Sequence, residues 1–242
     1  MKAHQRIIRE EKSKTDPVPD INLSSKNAVV RSISHSESKK IILEYEWLKC
    51  MPTISKYSFG LFFGDHCAGV VVYGTEYSEN LGHWDKFGFT GKMLLLARGA
   101  CVHWAPDYSG SLLIRQSMKL LPPQYEVITC TVDELAGEIG TIYQACGFTY
   151  VGSMRDNNPN IKSKGSSRFG VLINGKLYGS RAIRSKIGSQ KKEDILKKWP
   201  DAQFVKQKSK CRYFCFRGSK KAQNQHYKAI ENLVKAYPKR NQ

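Results

Sequence analysis

The chain has 242 residues, 40% of them hydrophobic, enough for one full domain with an appendage. Its 39 Lys and Arg against 21 Asp and Glu give a formal net charge of +18. No run of about eighteen apolar residues occurs, and the charged start MKAHQRIIREEKSK has no apolar stretch behind it. Neither a membrane span nor a secretion signal is therefore expected.

The charge is unevenly placed. Residues 1–160 hold 17 basic and 17 acidic side chains, whereas residues 161–242 hold 22 and 4. A neutral body joined to a basic region suggests ligand chemistry first and polyanion contact second, a solvated basic tail being the plainer alternative. Seven cysteines without a CxxC pair read as small buried apolar residues of a protein in a reducing cytoplasm.

In chain order, residues 1–38 are polar and without period, which predicts a flexible N-terminal arm. YSFGLFFGDHCAGVVVYG (57–74) reads as a hairpin turning at Gly64-Asp65-His66, and GKMLLLARGACVHW (91–104) as a long strand with a bulge at Arg98-Gly99. PDYSGSLLIRQSMKLLP (106–122) reads as turn, helix and stop. YEVITCTV supplies a buried strand, and a helix from about Ala136 is expected to present Ile139, Ile142, Tyr143 and Cys146 before Gly147 ends it. Two further strands, two short basic helices around Gly188-Ser189, the strand CRYFCFRG and a last helix complete the chain. The mixture without strict alternation argues an α+β fold with one continuous mixed sheet flanked by helices. The expected boundaries are 1–38 for the arm, 39–160 for the body and 161–242 for a basic extension, helical or winged-helix-like.

Three places attract chemistry. Ser109-Gly110-Ser111 opens a helix, where unpartnered N–H groups favour an anion, and Arg98 lies eleven residues upstream. An ordinary serine cap is the alternative. Asp133 ends a strand, as a base, a metal ligand or a helix cap. Tyr143 faces the core by period, to fill it or to aim its phenol at a crevice.

TIYQACGFTYVG resembles the last segment of the GNAT acyltransferase fold, and ARGACVHWAPDYSGSLLIRQSMKLL stands in the place of that fold's cofactor segment. With EYEWLKCMP, YSFGLFFGDHCAGVVVYG and TVDELAGEIGTIYQACGF, the chain resembles the Mom-like phage DNA-modification proteins over roughly residues 40–155. That resemblance implies a GNAT-like body adding a carbamoylmethyl group to the exocyclic amine of adenine in DNA, which shields the DNA from host restriction. It implies Arg98 and Ser111, with Ser109 and Gly110, around a CoA-type acyl donor, and Asp133, Tyr143, Tyr45 and Glu46 at the reacting centre, with bound iron in the family. Where better-known members carry a His-Tyr pair this chain has Glu44-Tyr45-Glu46-Trp47, and imidazole normally helps to select iron. The metal therefore stays open.

Reaching that amine requires extruding the base, onto which Tyr45, Trp47 or Trp104 would stack if they are not simply core. Double-stranded DNA is the expected partner, held by Arg181, Arg184, Lys186, Lys191 and Lys192, with Arg212 and Arg217 flanking Tyr213-Phe214-Phe216. A conventional GNAT acetyltransferase acting on a small amine or protein, and a non-catalytic DNA-binding protein on the same scaffold, are the rival readings.

Overall fold

The computed structural model describes residues 3–75, 84–153, 169–206 and 210–239. They form two units, one of Met1–Gly152 with Cys211–Gln242 and one of Ser153–Lys210.

The N-terminal segment is ordered into elements, contrary to the expected arm. α1 spans His4–Thr15, a 3-10 turn Ser25–Asn27 and β1 Ala28–Ser32. α1 is rich in good helix formers but has no buried residue of its own, so it leaves no apolar period in the sequence. α2 (His35–Tyr45) starts with a capping box between Ser34 and Glu37 and buries Ile42 and Tyr45. β2 (Tyr57–Phe63) and β3 (His66–Gly74) form the expected hairpin, with Gly64 at φ +56° in the turn.

β4 (Met93–Cys101) runs antiparallel to β3, but the register shifts between Val72 and Tyr73, which pair with Arg98 and Leu96. Ala97 is the extra residue, one place before the expected bulge. α3 (Ser109–Leu120) crosses over to β5 (Val127–Val132), which joins β4 in parallel at only three positions, Met93↔Val127, Leu94↔Ile128 and Leu95↔Thr129. α3 is tied to the sheet by its buried Leu113, Ile114 and Met118 and by a 2.8 Å hydrogen bond between the Tyr73 and Ser117 hydroxyls.

The single helix expected from Ala136 is broken into a 3-10 turn, Glu134–Ala136, and a short α4, Thr141–Ala145. Gly137 and Gly140 cause the break by taking φ +73° and +74°. A side chain at Gly140 would in addition come 2.6 Å from the Tyr213 ring. β6 (Thr149–Ser153) follows.

The expected boundary at residue 160 needs correction. β10 (Cys211–Phe216) returns to the body and inserts between β5 and β6, completing, among the described residues, a seven-stranded sheet in the order β1-β2-β3-β4-β5-β10-β6. It pairs antiparallel with β5 along its full length, from Cys211↔Val132 to Phe216↔Val127. Its aromatic residues explain the choice: Tyr213 packs with Tyr143 and Tyr150, Phe214 with Trp84 and Phe89, and both are fully buried. α7 (Lys220–Ile230) also belongs to the body.

The second unit is a ββααβ arrangement. β7 (Phe169–Ile173) and β8 (Lys176–Tyr178) form a hairpin whose turn, Asn174-Gly175, has φ +49° and +74°. α5 (Ser180–Ile187) and α6 (Lys192–Lys198) meet around Gly188 as expected. A strand not foreseen, β9 (Gln203–Lys206), then pairs with β7, so the body's sheet is not the only one. Val171, Ile173, Ile183 and Ile195 form this unit's core.

Arg212 and Arg217, expected on the DNA, are engaged within the body. Arg212 donates to Thr129 Oγ1 at 2.9 Å and stands 4.8 Å over the Trp84 ring. Arg217 donates to the carbonyls of Leu121 (3.0 Å), Pro122 (3.3 Å) and Tyr125 (2.6 Å), tying β10 to the α3–β5 turn. Arg217→Ala leaves these acceptors short of a donor and is expected to lower stability by about 2 kcal/mol. Urea unfolding should show a lower midpoint at an unchanged m-value, with affinity for DNA unaltered.

Candidate active site

Glu46 is the residue after α2, where the backbone leaves the helix, and it is 6% exposed. Its carboxylate accepts the Leu48 N–H at 2.8 Å, while its carbonyl accepts from Lys49, which adopts φ +48° to close the turn. Burial pushes the carboxyl up to about 7, against the lowering pull of Arg98 and the Leu48 N–H and with a further push from Glu138. A carboxyl that exchanges its proton near neutrality is suited to general acid–base work.

Arg98 follows the bulge at Ala97 on β4. Its Nη1 donates to the Ala97 carbonyl at 2.6 Å and its Nε to the Cys50 carbonyl at 2.8 Å. The guanidinium thus braces the 46–50 turn and places a positive charge beside Glu46. Tyr143 on α4 fills the core, as its period suggested. Its ring packs on Phe148 and Tyr213, while its hydroxyl bonds the Cys130 thiol on β5. Burial first, then the neighbouring Cys130, Glu138 and Glu46, raise its pKa well above the ordinary phenol.

Asp133 is half-buried just beyond β5, and its carbonyl accepts the N–H groups of Ala136 (3.0 Å) and Glu138 (3.3 Å). This turn sets Glu138 within electrostatic reach of Glu46 and Tyr143. The structure therefore gathers Glu46, Arg98 and Tyr143 with two residues the sequence did not single out, Glu138 and Cys130. Asp133 sits at the head of the turn that carries Glu138.

At the other expected place, the cap of α3 is Tyr108 and makes no side-chain cap bond, so the serine-cap reading does not hold. Ser109 is wholly buried and its Oγ has no partner, while Ser111 Oγ donates to the Tyr108 carbonyl at 2.9 Å. A Cβ on Gly110 would fall 2.5 Å from Ile142 Cδ1, so α3 and α4 approach closely here and a larger residue would push the Ile142 side chain aside.

Tyr45 has a histidine as its neighbour in space. Tyr45 Oη lies 3.1 Å from His103 Nδ1, and the two rings stack at 6.1 Å with 17° between their planes. The sequence signal was faint: His103 merely follows a strand, 58 residues away. Trp47 packs edge-on to His4 and Trp104 to His66.

A CoA-type donor fits one observation, a buried, unpartnered hydroxyl at the start of an uncapped helix. Iron does not fit as well. Among the described residues no three His, Cys, Asp or Glu side chains are grouped to hold a metal ion, so no step is assigned to it. In the second unit Arg184, Lys186, Lys191 and Lys192 are exposed. Arg181 lies on α5, its side chain outside the described ones. No helix among the described residues is long and apolar enough to cross a membrane.

The body has the expected mixed sheet flanked by helices. Similar solved structures include a spermidine N-acetyltransferase from Vibrio cholerae in complex with CoA and spermine, 8% identical over 84% of this chain and 99% of that one, with a TM-score of 0.42. A GNAT family acetyltransferase from Elizabethkingia anophelis with acetyl-CoA bound is 10% identical over 80% and 100%, with a TM-score of 0.40. A Drosophila melanogaster polyamine N-acetyltransferase is 8% identical over 78% and 100%, with a TM-score of 0.41. No curated protein matches. The sequence model of the Mom protein family matches residues 27–239, and the chain belongs to that family.

The raised pKa of Glu46 has a sign that can be measured. From the ordinary value of 4.5 up to about 7 the folded state holds a proton that the unfolded chain has lost, so stability falls as pH rises through this window. Glu46→Gln should flatten that part of the stability–pH curve, removing a slope that amounts to on the order of 3 kcal/mol across it. Chemical denaturation at pH 4.5, 6 and 8 checks this.

Proposed function

We propose that this protein is a transferase that modifies the exocyclic amine of adenine in DNA, adding a carbamoylmethyl-type group from a CoA-type donor and so protecting the DNA from restriction. The single observation that carries the reading is Glu46, a buried carboxyl titrating near 7 beside Arg98. Membership of the Mom family supports it, as does the resemblance to the Mom-like DNA-modification proteins.

An exocyclic amine must lose a proton as it forms its new bond, and Glu46 is the base that takes it. Arg98 keeps the carboxylate's turn in place and lowers the energy of its charged form. Tyr143 stays a neutral phenol beside this carboxyl, its hydroxyl engaged with Cys130, and so holds the wall of the site. The donor, when bound, would supply the methylene carbon of that group on a leaving group, which departs with its electron pair as the nitrogen–carbon bond forms and Glu46 takes the amine's proton. Ser109 and Ser111 at the start of α3 would hold it.

The polyanion contact belongs to the second unit. Residues 153–210 carry 15 Lys and Arg against four Asp and Glu, and α5 and α6 present Arg184, Lys186, Lys191 and Lys192 to solvent. Contacts of this kind go to phosphates and tolerate any sequence, as a genome-wide modifier requires.

DNA from cells expressing the protein, digested to nucleosides and examined by mass spectrometry, should contain a new adenine species. Glu46→Gln should reduce it by about 100-fold or more, and kcat/KM for the wild type should rise with pH through about 7. Only unmodified nucleosides from a soluble, DNA-bound wild-type protein would overturn the proposal. Lys191→Ala with Lys192→Ala should weaken DNA binding for all sequences alike and flatten the plot of log K against log salt by about two.

A further inference from the structure

α1 lies wholly before residue 27, where the family match begins. None of its own residues is buried, so apolar burial does not account for where it docks. Its contacts are polar and specific. Gln5 brackets the end of α2, its Nε2 donating to the Tyr45 carbonyl at 2.7 Å and its Oε1 accepting the Trp47 N–H at 3.2 Å. Arg9 Nη2 donates to the carbonyls of Ala105 at 2.8 Å and His103 at 3.3 Å. Lys12 pairs with Glu44 at 2.6 Å, its ammonium 5.6 Å from the Tyr45 ring centroid. The helix thus spans from the segment carrying Tyr45 and Glu46 to the loop that leads into α3.

A second observation concerns what this seam lacks. Among the described residues four buried side-chain nitrogen or oxygen atoms have no hydrogen-bond partner, and three of them are here: Arg9 Nε, His103 Nε2 and Ser109 Oγ. A buried polar atom left unpaired costs about 1–3 kcal/mol. Arg9 Nη2 reaches the His103 carbonyl at 3.3 Å, and Ser109 opens α3 six residues further on. Arg9 Nε–H can only donate and the Ser109 hydroxyl is free to donate, so the partner they lack in common is an acceptor. At the start of a helix, that acceptor is best an oxyanion.

We propose that α1 is a strap fastened by the phosphate end of the group donor, with Arg9 as the positioning residue that ties it to the 103–105 loop. The donor's identity rests on the function proposed above, whereas the strap rests on the seam. A ligand that completes the seam holds α1 down, and by linkage a docked α1 holds the ligand equally. An undocked α1 frees both the Tyr45 segment and the loop, which gives the donor a way in and out.

The test uses the full chain with CoA as probe. Hydrogen exchange followed by mass spectrometry should slow across residues 4–15 when CoA is added, and calorimetry should show CoA bound about tenfold more weakly by Arg9→Ala. Gln5→Ala should weaken it in the same direction, and Arg9→Lys should recover part of the loss, with DNA affinity unchanged in all three. Equal CoA affinity in wild type and Arg9→Ala, or exchange in 4–15 indifferent to bound CoA, would overturn the strap. If CoA does not bind the wild type at all, the donor assignment falls and inorganic pyrophosphate decides the strap. Slower exchange in 4–15 with pyrophosphate, absent in Arg9→Ala, upholds it; no slowing overturns it.

Discussion

Three parallel pairs are all that join β4 to β5. Both strands run on beyond Leu95 and Thr129, to Cys101 and Val132, so their backbones part just where the site begins. A parallel ladder cut short leaves room inside the sheet that only side chains or a ligand can fill. The Tyr143 hydroxyl on Cys130 fills it from the β5 side. On the β4 side the Ala97 bulge turns the strand's twist and lets Arg98 reach back to its neighbour's carbonyl and across to Cys50. Remove the divergence and the chemistry has nowhere to stand.

The buried carboxyl follows from the same geometry. A carboxylate taken out of water relaxes toward its neutral form unless charge or hydrogen bonds hold it. Glu46 receives some of each, one N–H and one nearby guanidinium, and ends poised near neutrality instead of at either extreme. Charge is distributed between the units on a different principle. Of the second unit's basic residues, Arg184, Lys186, Lys191 and Lys192 are exposed, so each keeps its hydration and its charge is screened by salt.

How much of this was legible in the sequence depended on whether a signal was local. The hairpin at Gly64, the helix after Ser109 and the helix pair around Gly188 were readable because turn residues and apolar spacing sit side by side in the chain. α1 was not, since its two large apolar residues, Ile7 and Ile8, are adjacent and set no period. The split at Gly137 and Gly140 was hidden beneath a convincing apolar pattern, with the two left-handed glycines overruling it. Arg98, Tyr143, Tyr45 and Glu46 were singled out as residue types at motif positions. His103 and Glu138 were not, because what recommends them is proximity across the fold. Arg217 illustrates the opposite error: its charge suggested a partner outside, but three carbonyls of the α3–β5 turn claim it.

The placement of β10 bears on how such a chain is made. β5 and β6 leave the ribosome with the slot between them vacant, and the strand that fills it is encoded only after the whole second unit. At about 5–20 residues per second, some seconds pass in which both edges stand open. Open strand edges invite pairing with another chain. The small ββααβ unit is complete before β10 appears and has its own core, so it is free to fold during that interval. The body's sheet therefore closes last, and a chain interrupted anywhere before residue 216 keeps an unfinished sheet in the very layer that carries the site.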